Sequence, residues 1–124
     1  MNKATSLKGE AVTENTSTQD RSVLITGCSS GIGKCVAQGL HQRGYRVFAS
    51  VRNSSDCAAF HSAGMECLVL DYCDSASIQS AVEQVLDKTG GRLYALFNNG
   101  AYGQPGACED LGRAAIRQQF ETNV

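Results

Sequence analysis

Three glycines fall within seven residues in Gly27-Cys28-Ser29-Ser30-Gly31-Ile32-Gly33, between the apolar run "SVLIT" and a segment with helical spacing. Few folds spend so much backbone freedom at the exit of a strand. Glycine enters left-handed conformations without a Cβ clash and lets a ligand approach the main chain closely. The first N–H groups of a helix have no intrahelical acceptor, and the helix dipole favours an anion beside them. A turn of this composition at a strand-to-helix junction is therefore a candidate phosphate cradle.

The flanking pattern fixes the architecture. "SVLIT" (22–26) is a continuous apolar run, as expected of a strand covered on both faces. Ile32, Val36, Ala37 and Leu40 recur at helical spacing, and Gly44 supplies a stop. "YRVFASV" (45–51) predicts a second strand, "SSDCAAFHSAG" (54–64) a short helix and "ECLVLDY" (66–72) a third strand. Asp74 is a candidate N-cap for a helix in which Ile78, Ala81, Val82, Val85 and Leu86 share one face. "LYALFNN" (93–99) predicts a fourth strand, and Ile116 and Phe120 predict a helix still running at Val124. Strict alternation of strands and helices implies an α/β fold: a doubly wound parallel sheet in a Rossmann-type α/β/α sandwich, incomplete at its last strand. Its ligand is expected at the carboxyl ends of the strands.

Composition narrows the function. The 124 residues suffice for one domain, and the net charge of −1 points to neither nucleic acid nor an anionic membrane as partner. No apolar run approaches the roughly 20 residues that span a bilayer, and residues 1–20 have no apolar centre like that of a secretory signal. Those residues are rich in Thr, Ser, Asn, Glu and Lys and are expected to form a disordered leader. Cys28, Cys35, Cys57, Cys67, Cys73 and Cys108 contain no C-x-x-C pair and no zinc-like grouping with His41 or His61. Six free, buried thiols, no metal and a cytoplasmic location are the expectation.

Two phosphate loops compete for residues 27–33. The loop of ATP and GTP hydrolases needs G-x-x-x-x-G-K-[ST]; Cys28 stands where its first glycine belongs, and Cys35 where its magnesium-binding hydroxyl belongs. A bare G-x-G is weak evidence. The longer string Thr26-Gly27-x-x-x-Gly31-x-Gly33 resembles the T-G-x-x-x-G-x-G motif of the short-chain dehydrogenase/reductase family. Asp71 follows the third strand, Asn98-Asn99-Gly100-Ala101 follows the fourth, and "FETNV" (120–124) comes last, each resembling a motif of that family in the family's order. The family's N-N-A-G has its last two residues exchanged here. Both positions remain tiny, so the backbone is expected still to pass close to a ribose.

The resemblance, over residues 21–124, implies a cofactor site made by Gly27, Ser29, Ser30, Gly31, Ile32, Gly33, Arg52, Asp71, Tyr72, Asn98, Asn99 and Gly100, with Asn123 as the catalytic asparagine. Asp71 would face the adenine amino group. Each residue has a structural alternative: Asp71 as a turn cap, Asn98 and Asn99 as backbone ties between strands, and Asn123 as a helix asparagine bonded to nearby backbone.

The end of the second strand selects the dinucleotide. An acid there holds the ribose hydroxyls of NAD and repels a 2′-phosphate. Val51 occupies that position by the resemblance, and Arg52 follows with a permanently charged fork suited to phosphate. NADP is the expected cofactor, over NAD. The expected reaction is hydride transfer between the nicotinamide and a small-molecule carbonyl or secondary alcohol. The family uses a Tyr-x-x-x-Lys pair and a serine for this. Tyr45, Tyr72, Tyr94 and Tyr102 are followed four places on by Ala49, Ala76, Asn98 and Gly106. The sequence therefore reads as the N-terminal, cofactor-binding part of a longer dehydrogenase, without turnover by itself. The resemblance implies a homodimer or homotetramer for the parent. A non-catalytic dinucleotide-binding module is the alternative.

Overall fold

A computed structural model describes residues 21–124. The proposed leader, residues 1–20, lies outside the described residues. Four strands, β1 (Ser22–Ile25), β2 (Arg46–Val51), β3 (Glu66–Val69) and β4 (Ala95–Phe97), form one sheet in the order β3-β2-β1-β4. All pairings are parallel, with Leu24 opposite both Phe48 and Leu96, and Ser50 opposite Leu68. The helices are α1 (Gly31–Gln42), α2 (Cys57–Ser62, after a 3-10 turn at Ser54–Asp56), α3 (Ser75–Thr89) and α4 (Arg113–Asn123).

Alternation along the strands sends side chains to opposite faces. Val23, Ile25, Val47, Ala49 and Val51 form one core with Ala37 of α1 and Cys57 and Phe60 of α2. Leu24, Phe48, Leu68 and Leu70 form the other with Ala81 and Val85 of α3. The sheet grows from β1 to β3 in one direction, and then the chain crosses back to add β4 on the other side of β1. That reversal makes a switch point between β1 and β4, where the flanking loops diverge and open a crevice.

The predicted helix faces are wider than the observed ones. Ile32 is 69% exposed, and Val82 and Leu86 are also exposed, while Ala81 and Val85 are buried. Only one narrow stripe of α1 and of α3 packs on the sheet, and α4 buries no residue. Asp74 caps α3 by accepting the backbone N–H groups of Ala76 (3.0 Å) and Ser77 (3.3 Å), and Gly90 ends the helix with a φ of 63°. The third strand ends at Val69, earlier than its apolar run suggests; the Leu70 N–H still donates to the Val51 carbonyl at 2.9 Å, and the next N–H, that of Asp71, donates to Ser77 Oγ at 3.0 Å. The fourth is shortened similarly: the Asn99 N–H donates to Thr26 Oγ1. Among the described residues β4 is an edge strand, with Leu96 and Phe97 exposed.

The expectation of six free thiols fails. Cys57 and Cys67 form a disulfide, with Cα atoms 5.4 Å apart. Their separation of ten residues matches no local cysteine motif. They meet because the turn after β2 folds α2 back over β3, a tertiary proximity that spacing does not reveal. Cys28, Cys35, Cys73 and Cys108 are free, but only Cys28 is buried as expected. The other three are exposed, because Cys35 lies outside the stripe of α1 that packs on the sheet and Cys73 and Cys108 lie in connecting segments. Cysteine pairing in this protein therefore does not point to a reducing compartment.

Ser22, Thr26 and Ser50 are the buried polar residues of the sheet. Thr26 and Ser22 have partners. Ser50 Oγ has none, although the Ser50 carbonyl accepts the Cys28 N–H at 2.8 Å and so ties the glycine turn to the end of β2.

Candidate active site

The crevice at the switch point is a cavity of about 270 Å³ lined from four directions. The β1–α1 turn contributes Gly27, Ser29 and Ser30; the end of β2 gives Val51 and Arg52; the segment after β3 gives Leu70 and Tyr72; the segment after β4 gives Asn99, Gly100, Ala101 and Tyr102. Thr122 of α4 completes the wall.

The turn is built around absent side chains. Gly27 has a φ of 68°, and a Cβ there would lie 2.6 Å from Gly100 Cα. A Cβ on Gly33 would lie 2.4 Å from the Gly27 carbonyl oxygen and 2.6 Å from Asn99 Nδ2. Gly31 needs its glycine for conformation alone: its φ is 57°, and its Cβ would meet open space. Ser30 stands at the N-cap of α1 in extended conformation without using its hydroxyl as a cap. The first-turn amides and two serine hydroxyls therefore remain open to an anion at the mouth of the helix.

Thr26, buried beneath this turn, organises it. Its hydroxyl accepts the N–H groups of Asn99 (3.0 Å) and Gly100 (3.2 Å) and lies 3.4 Å from the Phe97 carbonyl, to which it donates. Asn99 Nδ2 donates to the carbonyls of Thr26 (3.1 Å) and Gly27 (3.2 Å). The Asn99 side chain is thus committed to holding the turn while its residue lines the cavity.

Seven of the predicted site residues line the cavity together: Gly27, Ser29, Ser30, Arg52, Tyr72, Asn99 and Gly100. Gly31, Ile32, Gly33, Asp71, Asn98 and Asn123 do not. Gly31 and Gly33 shape the turn from behind. Asp71 Oδ1 accepts the Cys73 N–H at 2.9 Å, which makes it a turn cap here. Asn123 Oδ1 accepts the Tyr102 N–H at 3.1 Å, and its amide donates to the carbonyls of Tyr102 and Gln119, both at 2.9 Å. Its side chain clamps the loop after β4. Leu70, Ala101, Tyr102 and Thr122 were not singled out from the sequence. The apolar run ending at Leu70 gave a strand signal only, and Thr122 reaches the cavity through the packing of α4, which no local pattern encodes.

The glycine cradle, the open amides and the Arg52 guanidinium, which has no salt-bridge partner among the described residues, fit the phosphates of a dinucleotide. The short chain dehydrogenase family profile matches residues 21–124. The chain belongs to this family. It is 38% identical over 103 residues to the uncharacterized oxidoreductase YbbO of Escherichia coli (strain K12), covering 83% of this chain and 38% of that protein. It is 33% identical over 108 residues to an NADPH-dependent 3-dehydrocapnine reductase of Ornithobacterium rhinotracheale, covering 84% of this chain and 38% of that one. A short-chain dehydrogenase from Streptomyces avermitilis superposes with a TM-score of 0.77 at 30% identity, over 84% of this chain and 39% of the other. The chain thus spans about two-fifths of the length of the family members it matches.

Proposed function

We propose that this chain carries the coenzyme-binding part of an NADP(H)-dependent oxidoreductase that interconverts a small-molecule carbonyl and a secondary alcohol. The observation that carries this reading is the placement of Arg52 in one cavity with the Gly27 turn, Ser29 and Ser30, beside a Val51 that offers no carboxylate. A ribose 2′-phosphate entering that cavity meets a permanent positive charge and two hydroxyls, and nothing there repels it. The NADPH-dependent relative supports the same choice.

When bound, the nicotinamide supplies a hydride. The residues of this chain supply the grip: open amides for the diphosphate, Arg52 with the Ser29 and Ser30 hydroxyls for the additional phosphate, and Thr26 with Asn99 to keep the turn in shape. The clamp of Asn123 on Tyr102 fixes the loop beyond β4, which lies on the side of the cavity away from Arg52 in the order of the sheet. The parent protein is proposed to act as a homodimer or homotetramer.

Titration of the full-length protein with NADPH and NADH, followed by nucleotide fluorescence, tests the reading. Tighter binding of NADPH is expected. Equal affinities or a preference for NADH would refute the assignment of Arg52, and absence of binding by either would refute the coenzyme site.

A further inference from the structure

Gly100 sits between two obstacles. On one side, a Cβ placed on Gly27 would come within 2.6 Å of Gly100 Cα, so the turn and the segment after β4 are already in close contact. On the other, a Cβ on Gly100 itself would fall 2.0 Å from the hydroxyl oxygen of Tyr72 and 2.6 Å from its Cε2 and Cζ. The main chain at Gly100 is also anchored, since its N–H donates to Thr26 Oγ1 at 3.2 Å. It cannot retreat to make room.

Unlike Gly27 and Gly31, Gly100 does not have a positive φ. Its backbone would accept any residue; the ring of Tyr72 is what excludes a side chain. That ring packs against the core of Leu24, Phe48 and Leu70 and also lines the cavity, together with Gly100 and Arg52. A methyl group on Gly100 would therefore displace the Tyr72 ring, which both packs on that core and lines the cavity.

We infer that Tyr72 and Gly100 are a matched pair that sets the clearance of the dinucleotide cavity, with Tyr72 as a positioning residue for the coenzyme and Gly100 as the gap that seats its ring. This rests on the coenzyme site proposed above and adds which residues gauge its width. It also gives a reason for the order Gly100-Ala101 where the family pattern has alanine first.

The test is a double-variant cycle in the full-length protein. NADPH affinity and the melting temperature without coenzyme are measured for wild type, Gly100→Ala, Tyr72→Val and the combination. Gly100→Ala alone is expected to weaken NADPH binding about tenfold, a coupling common for residues in contact. The coenzyme-free melt should also fall, because the displaced ring loses packing on the core, and it should fall less in the Tyr72→Val background. In the Tyr72→Val background the same Gly100→Ala change should leave affinity within about twofold, as for uncoupled sites. Equal losses in both backgrounds, or none in either, overturn the pairing. If Gly100→Ala alone does not fold, the combination must fold and bind; its failure also overturns the pairing. Wild-type protein that binds neither nucleotide would instead refute the coenzyme site, so the two failures are distinguishable.

Discussion

The buried hydroxyl of Thr26 accepts the backbone N–H of Asn99 at 3.0 Å, and the Asn99 side chain donates back to the Thr26 carbonyl at 3.1 Å. This reciprocal pair joins the end of β1 to the segment after β4 across the switch point. Replacing Thr26 by valine keeps the shape but leaves the N–H groups of Asn99 and Gly100 without an acceptor. A loss of about 1–3 kcal/mol is expected from unsatisfied buried donors, together with weaker coenzyme binding. Thr26→Ser should retain most of both. Denaturant unfolding and NADPH titration of the full-length protein measure these; a valine variant with unchanged stability would contradict the assigned role.

Arg52 is exposed on the cavity rim and, among the described residues, forms no salt bridge. Arg52→Asp is expected to lower NADPH affinity about 10–100-fold, the range of a lost charge-assisted hydrogen bond. It should raise affinity for NADH relative to NADPH, since a carboxylate can hold ribose hydroxyls. Parallel titrations with the two nucleotides decide; an unmoved preference ratio would show that the guanidinium does not select.

Glu66 opens β3 and meets Arg46 Nη2 at 2.7 Å and the Lys88 ammonium. Partial burial works to raise its carboxyl pKa, but hydrogen bonds from Lys88 and Arg46 and their positive charges together hold it below the usual carboxylate range. A carboxyl depressed in the folded state binds its proton more readily when unfolded. It therefore contributes stability above the ordinary glutamate pKa, about 4.3. That contribution fades as pH falls through the lower folded value. Glu66→Gln should flatten this acid limb of the stability curve and cost about 1 kcal/mol or less at pH 7, in keeping with partly exposed pairs. Arg46 also donates to the Lys88 carbonyl at 2.7 Å, so Arg46→Ala should cost more than Glu66→Gln.

Cysteine labelling distinguishes the thiol environments. Burial pushes the Cys28 thiol up to about 11, and its Sγ lies 3.2 Å from the Ile25 carbonyl oxygen. At pH 8 it should react with an alkylating reagent about a hundredfold more slowly than exposed Cys35, because the thiolate is the nucleophile. Cys57 and Cys67 should label only after reduction. Peptide mass spectrometry of the folded protein reads all of these; rapid labelling of Cys28, or labelling of Cys57 and Cys67 without reductant, would contradict the assignments.

Much of this protein was legible in its residues because the relevant signals are local. Continuous apolar runs, helical spacing, the Asp74 cap and the positive-φ glycines each follow from the conformational limits of one short stretch of backbone. They sufficed for a parallel α/β sheet and for a phosphate-binding turn at Gly27–Gly33. The tertiary structure decided what depends on contacts between distant stretches. It committed the Asn99 side chain to Thr26 and Gly27, Asp71 to its own turn and Asn123 to Tyr102, because folding brought backbone donors and acceptors within reach of these side chains. It joined Cys57 to Cys67, and it placed Tyr72 over Gly100. The spacing of residues along a chain cannot encode such meetings, since they arise only when the strands take their order in the sheet.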